Sequence, residues 1–252
     1  MSTQARKIIT SIKNVTPDTL TASVFSSECK IKLSRIRLPK SIGFNKRLKM
    51  DGRTLLSKIP KDSAPVAFFD PQYRGVLDKL GYGNEGEGRG KARCNLPQMT
   101  EAVITDFIRD ISKTLIPTGH LFLWIDQFHL CIGFSGWLSG TALDVVDMLT
   151  WHKGRIGMGY RTRRTSEHVI ILQKQPRRAK GVWKTHNIPD VWYEKVTKNG
   201  YAHKKPIALQ GALMAAVSSQ GDIVIDPAAG SFSVLDACIL RGRNFLGCDI
   251  NG

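Results

Sequence analysis

The sequence predicts an α/β fold: a mainly parallel sheet with helices packed on both faces. Three observations predict it. Short runs such as PVAFFD, HLFLWID, DIVID and NFLGCDI have strand length and almost no polar residue inside them, as strands buried on both faces do. Segments with apolar residues at helical spacing separate most of these runs. The chain of 252 residues, 42% hydrophobic and 23% charged, is long enough for one large domain or two small ones.

The elements follow in order. Residues 1–45 alternate β-branched runs with lysines, and KIKLSRIRL has the period of a strand with one wet face, so a small basic strand-rich extension is expected over 1–46. LKMDGRTLLSKIP reads as a strand end, an Asp-Gly turn at Asp51 and a short helix. APVAFFD is a buried strand. Residues 74–98, rich in glycine and mixed charge, read as a long mobile loop. Val103, Ile104, Phe107, Ile108, Ile111 and Leu115 define a helix, with Thr100 as its N-cap and Pro117 and Gly119 as its stop. HLFLWID is a strand. Residues 133–149 read as a loop and a helix, TWHK starts a strand and EHVIILQK is another. Residues 175–202 are polar, basic and aromatic. PIALQGALMAAVSS is a helix, DIVID a strand, SVLDACILRG a helix and NFLGCDI the last strand.

Composition narrows the function. The net charge is +16, and it is clustered: residues 1–49 hold 11 Lys/Arg against 2 Asp/Glu, and residues 151–206 hold 14 against 3. Two cationic segments suit a polyanion, because each Lys or Arg laid on a phosphate releases counterions. A solvated basic face is the plainer explanation of the same charge. Five scattered cysteines, with no CxxC or Cys/His pair at metal spacing, read as reduced thiols of a cytoplasmic protein without a metal site. No run of about 18 apolar residues suggests a membrane span, and the first residues lack a signal core. His120, His129, His152 and His168 have no catalytic partner spacing and read as structural.

Two stretches carry chemistry. In DIVIDPAAGSF a strand ends at Asp226, and Pro227, Ala228, Ala229, Gly230 and Ser231 turn the chain into a helix. Small residues there let backbone approach a ligand, and the new helix offers free N–H groups. The next strand ends in Asp249, an acid placed to accept from ribose hydroxyls. Such a turn also serves simply to pack a helix on a strand. The second stretch is Asp70-Pro71-Gln72-Tyr73, at the carboxyl end of a buried strand, where ligands of open α/β sheets collect. Asp70 can accept one hydrogen of an exocyclic amine, a neighbouring carbonyl the second, and Tyr73 can stack on a base. An amine held by two acceptors turns its lone pair outward. A turn with Tyr73 as a buried anchor is the structural alternative.

Together the two stretches resemble the β-class, S-adenosylmethionine-dependent DNA adenine-N6 methyltransferases. DPQY resembles the family's DPPY-type motif, and DPAAGSF its DPFxGSG pattern. TWHKG and RTSEHVIILQK resemble its W-x-K and late-strand segments, HKKPIALQGAL its H…KP-x-x-L helix, and KMDG its acidic turn. The resemblance covers roughly residues 47–252. It implies a Rossmann-like methyltransferase fold in permuted order, a mostly parallel seven-stranded-type sheet with helices on both faces, and S-adenosylmethionine as cofactor. By position it gives Asp70 and the Pro71 carbonyl the target amine and Tyr73 the flipped base of duplex DNA, with Gln72 completing the catalytic tetrad. Asp226, Pro227, Ala229, Gly230 and Ser231 would line the methionine end of the cofactor, Asp249 the ribose, Asp51 the adenine, and Lys205 and Pro206 the carboxylate. Gln72 departs from Pro. Ala228 replaces the family's Phe, and Phe232 its second glycine, so Phe232 is expected to supply the missing ring.

The implied DNA-reading segment is 175–202, with Arg177, Arg178, Lys180 and Lys184 set among Trp183, Trp192 and Tyr193. Its size predicts weak sequence specificity, resembling the low-specificity members encoded by prophages. A packed core is the expected use of its tryptophans. Arg161, Arg163 and Arg164 read either as a second phosphate patch or as a wet strand edge, and Arg74, Arg89, Lys91 and Arg93 in the glycine-rich loop as a third patch or as part of a surface loop without a role. Monomer or homodimer, in a bacterial host or phage-encoded, fits the same resemblance. Asp rather than Ser heading the tetrad favours adenine N6. Cytosine-N4 methylation, RNA adenine-N6 methylation and a non-catalytic DNA-binding protein are the alternatives.

Overall fold

The computed structural model describes residues 38–39, 42–72, 98–157, 162–196 and 204–252. The strands are β1 (Leu48–Lys49), β2 (Ala64–Phe69), β3 (Leu115–Ile125), β4 (Leu143–His152), β5 (Ser166–Lys174), β6 (Val191–Tyr193), β7 (Ile223–Asp226) and β8 (Asn244–Asp249). The helices are α1 (Gly52–Ser57), α2 (Glu101–Thr114), α3 (Gln127–Ile132), α4 (Ile207–Val217) and α5 (Ser233–Arg241), with a 3-10 turn over Ser135–Leu138. All eight strands join one sheet in the order β1-β8-β7-β2-β3-β5-β4-β6. From β1 to β3 every pairing is parallel. β5 runs antiparallel to β3 and β4, and β6 lies parallel to β4 at the edge.

Successive strand residues face opposite ways, and both faces are covered. Ala67, Phe69, Leu121, Leu123, Ile170, Leu172 and Ile225 pack under α1 and α2. The residues between them, Val66, Phe68, Phe122, Trp124, Val169, Ile171 and Val224, pack under α4 and α5. This double burial explains why the strands read as unbroken apolar runs. Thr100 caps α2, its hydroxyl accepting from the Val103 N–H. The helix stops at Thr114, ahead of Pro117, because Leu115 already pairs with Ala64. Residues 42–45 lie against β8: the Asn45 N–H donates to the Phe245 carbonyl at 2.9 Å, and the Phe245 N–H donates to Asn45 Oδ1 at 2.8 Å. Of the rest of the expected N-terminal extension only residues 38–39 and 46 are described, and the loop over 73–97 lies outside the described residues.

Two expectations need correction. The helix expected within 133–149 is the first part of β4, preceded by the 3-10 turn. Leu143 to His152 pairs with β5 along its length, but the register slips between Val145 and Asp147. That bulge breaks the two-residue alternation, leaving Val145, Val146, Asp147 and Met148 all exposed. No strand period survives in the sequence for a reader to find. Among the described residues, the seven-stranded-type sheet gains an eighth strand, because three residues of the basic segment, Val191–Tyr193, add β6 to the edge.

Candidate active site

Four adjacent parallel strands each end in an acid. In sheet order these are Asp249 on β8, Asp226 on β7, Asp70 after β2 and Asp126 after β3. Parallel pairing brings their carboxyl ends to one edge, although the chain visits them far apart in sequence. A cleft of about 290 Å³ opens there, lined among others by Asp51, Asp70, Gln72, Lys205, Asp226 and Gly230.

Each acid is held by local geometry. Asp51 caps α1, its carboxylate accepting from the Thr54 N–H at 3.0 Å. The next residue has to be glycine: a β-carbon on Gly52 would sit 2.1 Å from the Pro227 carbonyl oxygen and 2.7 Å from the Phe107 ring. That close approach brings the Asp51 turn onto the cleft. Asp249 Oδ2 accepts from the Gly230 N–H at 3.1 Å, tying β8 to the turn after β7. Gly230 has φ +49°, and a β-carbon there would meet no atom of the other described residues within 4 Å. The turn therefore leaves open space beside its backbone. Asp226 is buried and accepts from the Ala228 N–H at 3.2 Å. Burial pushes its carboxyl well above the usual range. The Ala228 bond offsets part of this, and the neighbouring Asp70 and Asp249 add to it.

Lys205 joins the site to a charge network that sequence reasoning did not connect. Its ammonium lies 3.0 Å from Asp70 Oδ2 and 2.8 Å from Glu167 Oε2, and 4.8 Å from the centre of the Trp124 ring. The Lys153 ammonium lies 3.2 Å from Glu167 Oε1. Burial opposes charge on Lys205, but Asp70 and Glu167 outweigh it and hold its pKa above the ordinary lysine value. Burial also opposes charge on Glu167, but Lys205 and Lys153 outweigh it and bring its pKa down to about 2. Lys153 stands in TWHKG and Glu167 in RTSEHVIILQK, two of the segments already singled out. Only the antiparallel β4–β5 pairing, which opposes Trp151 to Glu167, reveals that they meet.

The remaining candidates divide. Pro71 is buried and, unlike its neighbours Asp70 and Gln72, is not among the lining residues. Gln72 lines the cleft, and its carbonyl accepts from the Met99 N–H. Pro227, Ala229 and Ser231 line it as well. Pro206 caps α4 and is not among the lining residues. The expectation for Phe232 is corrected. At φ +59° it begins α5 with its ring turned inward, 1% exposed, against Phe245 in the core rather than on the cleft. Tyr73, Arg74, Arg89, Lys91, Arg93 and Arg161 lie outside the described residues.

Of the other cations proposed for DNA, Arg163 and Lys180 are exposed and Arg164 is half-buried. Arg177 is exposed, 3.6 Å from Asp144. Arg178 Nε donates to the Lys180 carbonyl at 3.1 Å. The Lys184 ammonium donates to Ser219 Oγ at 2.8 Å, and its backbone N–H to the Ala216 carbonyl at 2.7 Å, so Lys184 ties this segment to the end of α4. Trp183 and Trp192 pack against the core. Among the described residues no helix is long and apolar enough to cross a membrane, and no group of three or more His, Cys, Asp or Glu side chains could hold a metal ion.

A mixed sheet in this order, with acids and a small-residue turn around one cleft, defines a Rossmann-like methyltransferase fold. A family model described as DNA methylase matches residues 104–252. The chain is 54% identical over 207 residues to the Type II methyltransferase M.HhaII of Haemophilus parahaemolyticus, covering 82% of this chain and 91% of that protein. It is 40% identical over 70 residues to the DNA adenine methyltransferase YhdJ of Escherichia coli K12, covering 28% of this chain and 23% of that one. Among solved structures, the M1.HpyAVI-SAM complex superposes with TM-score 0.57 at 17% identity, covering 81% and 92% of the two chains. The cytosine-N4-specific PvuII DNA methyltransferase gives 0.61 at 12% identity, covering 81% of each. The chain belongs to the DNA methylase family that modifies amino nitrogens of bases, N6 or N4.

Proposed function

We propose that the protein transfers a methyl group from S-adenosylmethionine to the N6 amine of adenine in duplex DNA. The observation that carries the proposal is that Asp70 and the Asp226–Gly230 turn line one cleft. The residues fit the cofactor: Asp249 and Asp51 are acceptors for a nucleoside, and Gly230 leaves room beside its backbone for a ligand. When bound, the cofactor supplies an electrophilic methyl group on a sulfonium. A base turned out of the stack would present its amine to Asp70 and the Pro71 carbonyl, which accept its two hydrogens and aim the nitrogen lone pair outward. Asp70 offsets the positive charge that grows on that nitrogen. Lys205 already holds the Asp70 carboxylate in place before any base arrives.

Adenine rather than cytosine rests on Asp at the head of the tetrad, and the relative called a DNA adenine methyltransferase supports it. Within 175–196 the tryptophans are used in packing, which leaves exposed cations suited to phosphates. On that ground weak sequence specificity is the first reading. A defined target sequence is the second, favoured by the likeness to a protein called a Type II methyltransferase. The test is incubation with labelled cofactor and plasmid DNA, digestion, identification of the labelled nucleoside and mapping of its sequence context. N6-methyladenine is expected. N4-methylcytosine, or label in structured RNA and not in DNA, would overturn the proposal, and a single methylated context would select the second reading. Asp70→Ala should abolish transfer and leave cofactor binding, measured by calorimetry, within a few-fold of wild type.

A further inference from the structure

Gln210 lies on α4, 1% exposed, and lines the cleft. Its Oε1 is buried and meets no hydrogen-bond donor among the described residues. The helix is built without this oxygen: the Gln210 backbone N–H donates to the Pro206 carbonyl, and Leu209, Leu213 and Met214 supply packing on either side. A buried amide oxygen without a donor costs stability that a leucine of similar size would not. Such a group is consistent with a ligand that brings the donor.

The carboxylates of the cleft are each partly engaged by the protein and keep further lone pairs for a nucleoside and an amine. Asp51 accepts from Thr54, Asp249 from Gly230, and Asp70 holds Lys205. Gln210 Oε1 is an acceptor that the protein leaves for something else. Its place in the fold says which end of a ligand would reach it. Asp51 heads α1 on one face of the sheet, whereas Gln210 sits on α4, which packs on the other. A ligand with its nucleoside end at Asp51 and Asp249 directs its opposite end toward α4. We propose that Gln210 accepts a hydrogen bond from the α-ammonium group of the methionine moiety of S-adenosylmethionine, and so helps the cleft select the amino-acid end of its cofactor. A neutral amide does this without adding a further charge to a cleft already lined by four carboxylates. The inference rests on the cofactor assignment above.

The experiment compares wild type with Gln210→Leu by calorimetry. The ligands are S-adenosylhomocysteine and its deaminated analogue, in which hydrogen replaces the α-ammonium. Gln210→Leu should weaken S-adenosylhomocysteine roughly tenfold or more, the scale of a hydrogen bond to a charged group, and leave the deaminated analogue unchanged. An equal loss for both ligands, or no loss for either, would overturn the inference; the second result would mean that water serves Oε1. Gln210→Met provides the same comparison if the leucine variant does not fold. On wild type alone, equal affinity for the two ligands also overturns it. If wild type binds neither S-adenosylmethionine nor S-adenosylhomocysteine, the cofactor assignment itself fails.

Discussion

Single residues set the electrostatics of the cleft. Glu167 touches neither base nor cofactor on the reading proposed here, but it holds Lys205 beside Asp70 and is itself held by Lys153. Glu167→Gln removes the charge that two lysines share. It should cost on the order of 2 kcal/mol in thermal or urea unfolding and slow methyl transfer roughly tenfold, whereas Lys153→Met, one step further from Asp70, should slow it less. Because the Glu167 pKa falls to about 2 in the fold, its stabilising effect is full above the ordinary carboxylate range and is lost as pH drops toward 2. His120 behaves differently. Buried between Phe122 and Trp183, it is held at a pKa of about 4 by burial, against the usual 6.5. Between those values the unfolded chain binds a proton that the folded chain does not, so stability falls as pH drops through that window, by on the order of 3 kcal/mol. Asp222, raised to about 6 by burial, acts in the opposite sense over the same range. His120→Phe should therefore keep more of its neutral-pH melting temperature at pH 5 than wild type does. An equal loss in both proteins would count against the burial of a neutral His120.

At the scale of elements, glycine and the caps decide where the acids stand. Asp51 both caps α1 and lines the cleft, and Gly52 lets that helix approach the Pro227 turn. Gly52→Ala forces a methyl group onto a backbone carbonyl that cannot move without shifting β7. It should lower the melting temperature and weaken cofactor binding together. Asp51→Ala should cost about 1 kcal/mol from the lost cap and weaken binding more than it lowers stability. A Gly52→Ala variant with unchanged affinity would show that the α1 turn does not shape the cleft.

At the scale of the whole molecule, the cationic excess is unevenly available. Arg177, Lys180 and Lys184 are all exposed, but the Lys184 ammonium is tied down on Ser219 at the end of α4. DNA affinity should fall steeply with salt. The double variant Arg177→Ala/Lys180→Ala should reduce the slope of log K against log[salt] by about 2, and Lys184→Ala should leave it nearly unchanged. Filter-binding or anisotropy titrations at several salt concentrations measure both. An unchanged slope in the double variant would take DNA off this face of the protein.

The sequence by itself determined most of the strand and helix order and the two covered faces, and its family resemblance pointed to Asp51, Asp70, Asp226, Gly230 and Asp249 at the cleft. Apolar runs of strand length, helical spacing and small-residue turns are local signals, and parallel strands collect their carboxyl ends by rule. The tertiary structure alone decided what depends on contact between distant segments. A bulge hid β4, and Val191–Tyr193, a run too short to signal a strand, became β6 by pairing at an open edge. Phe232 went inward because the αL turn at the start of α5 points its ring at Phe245. Lys153, Glu167, Lys205 and Asp70 form one network, and Gln210 lacks a donor, only because helix and sheet packing bring groups from far along the chain within hydrogen-bond reach or keep them out of it.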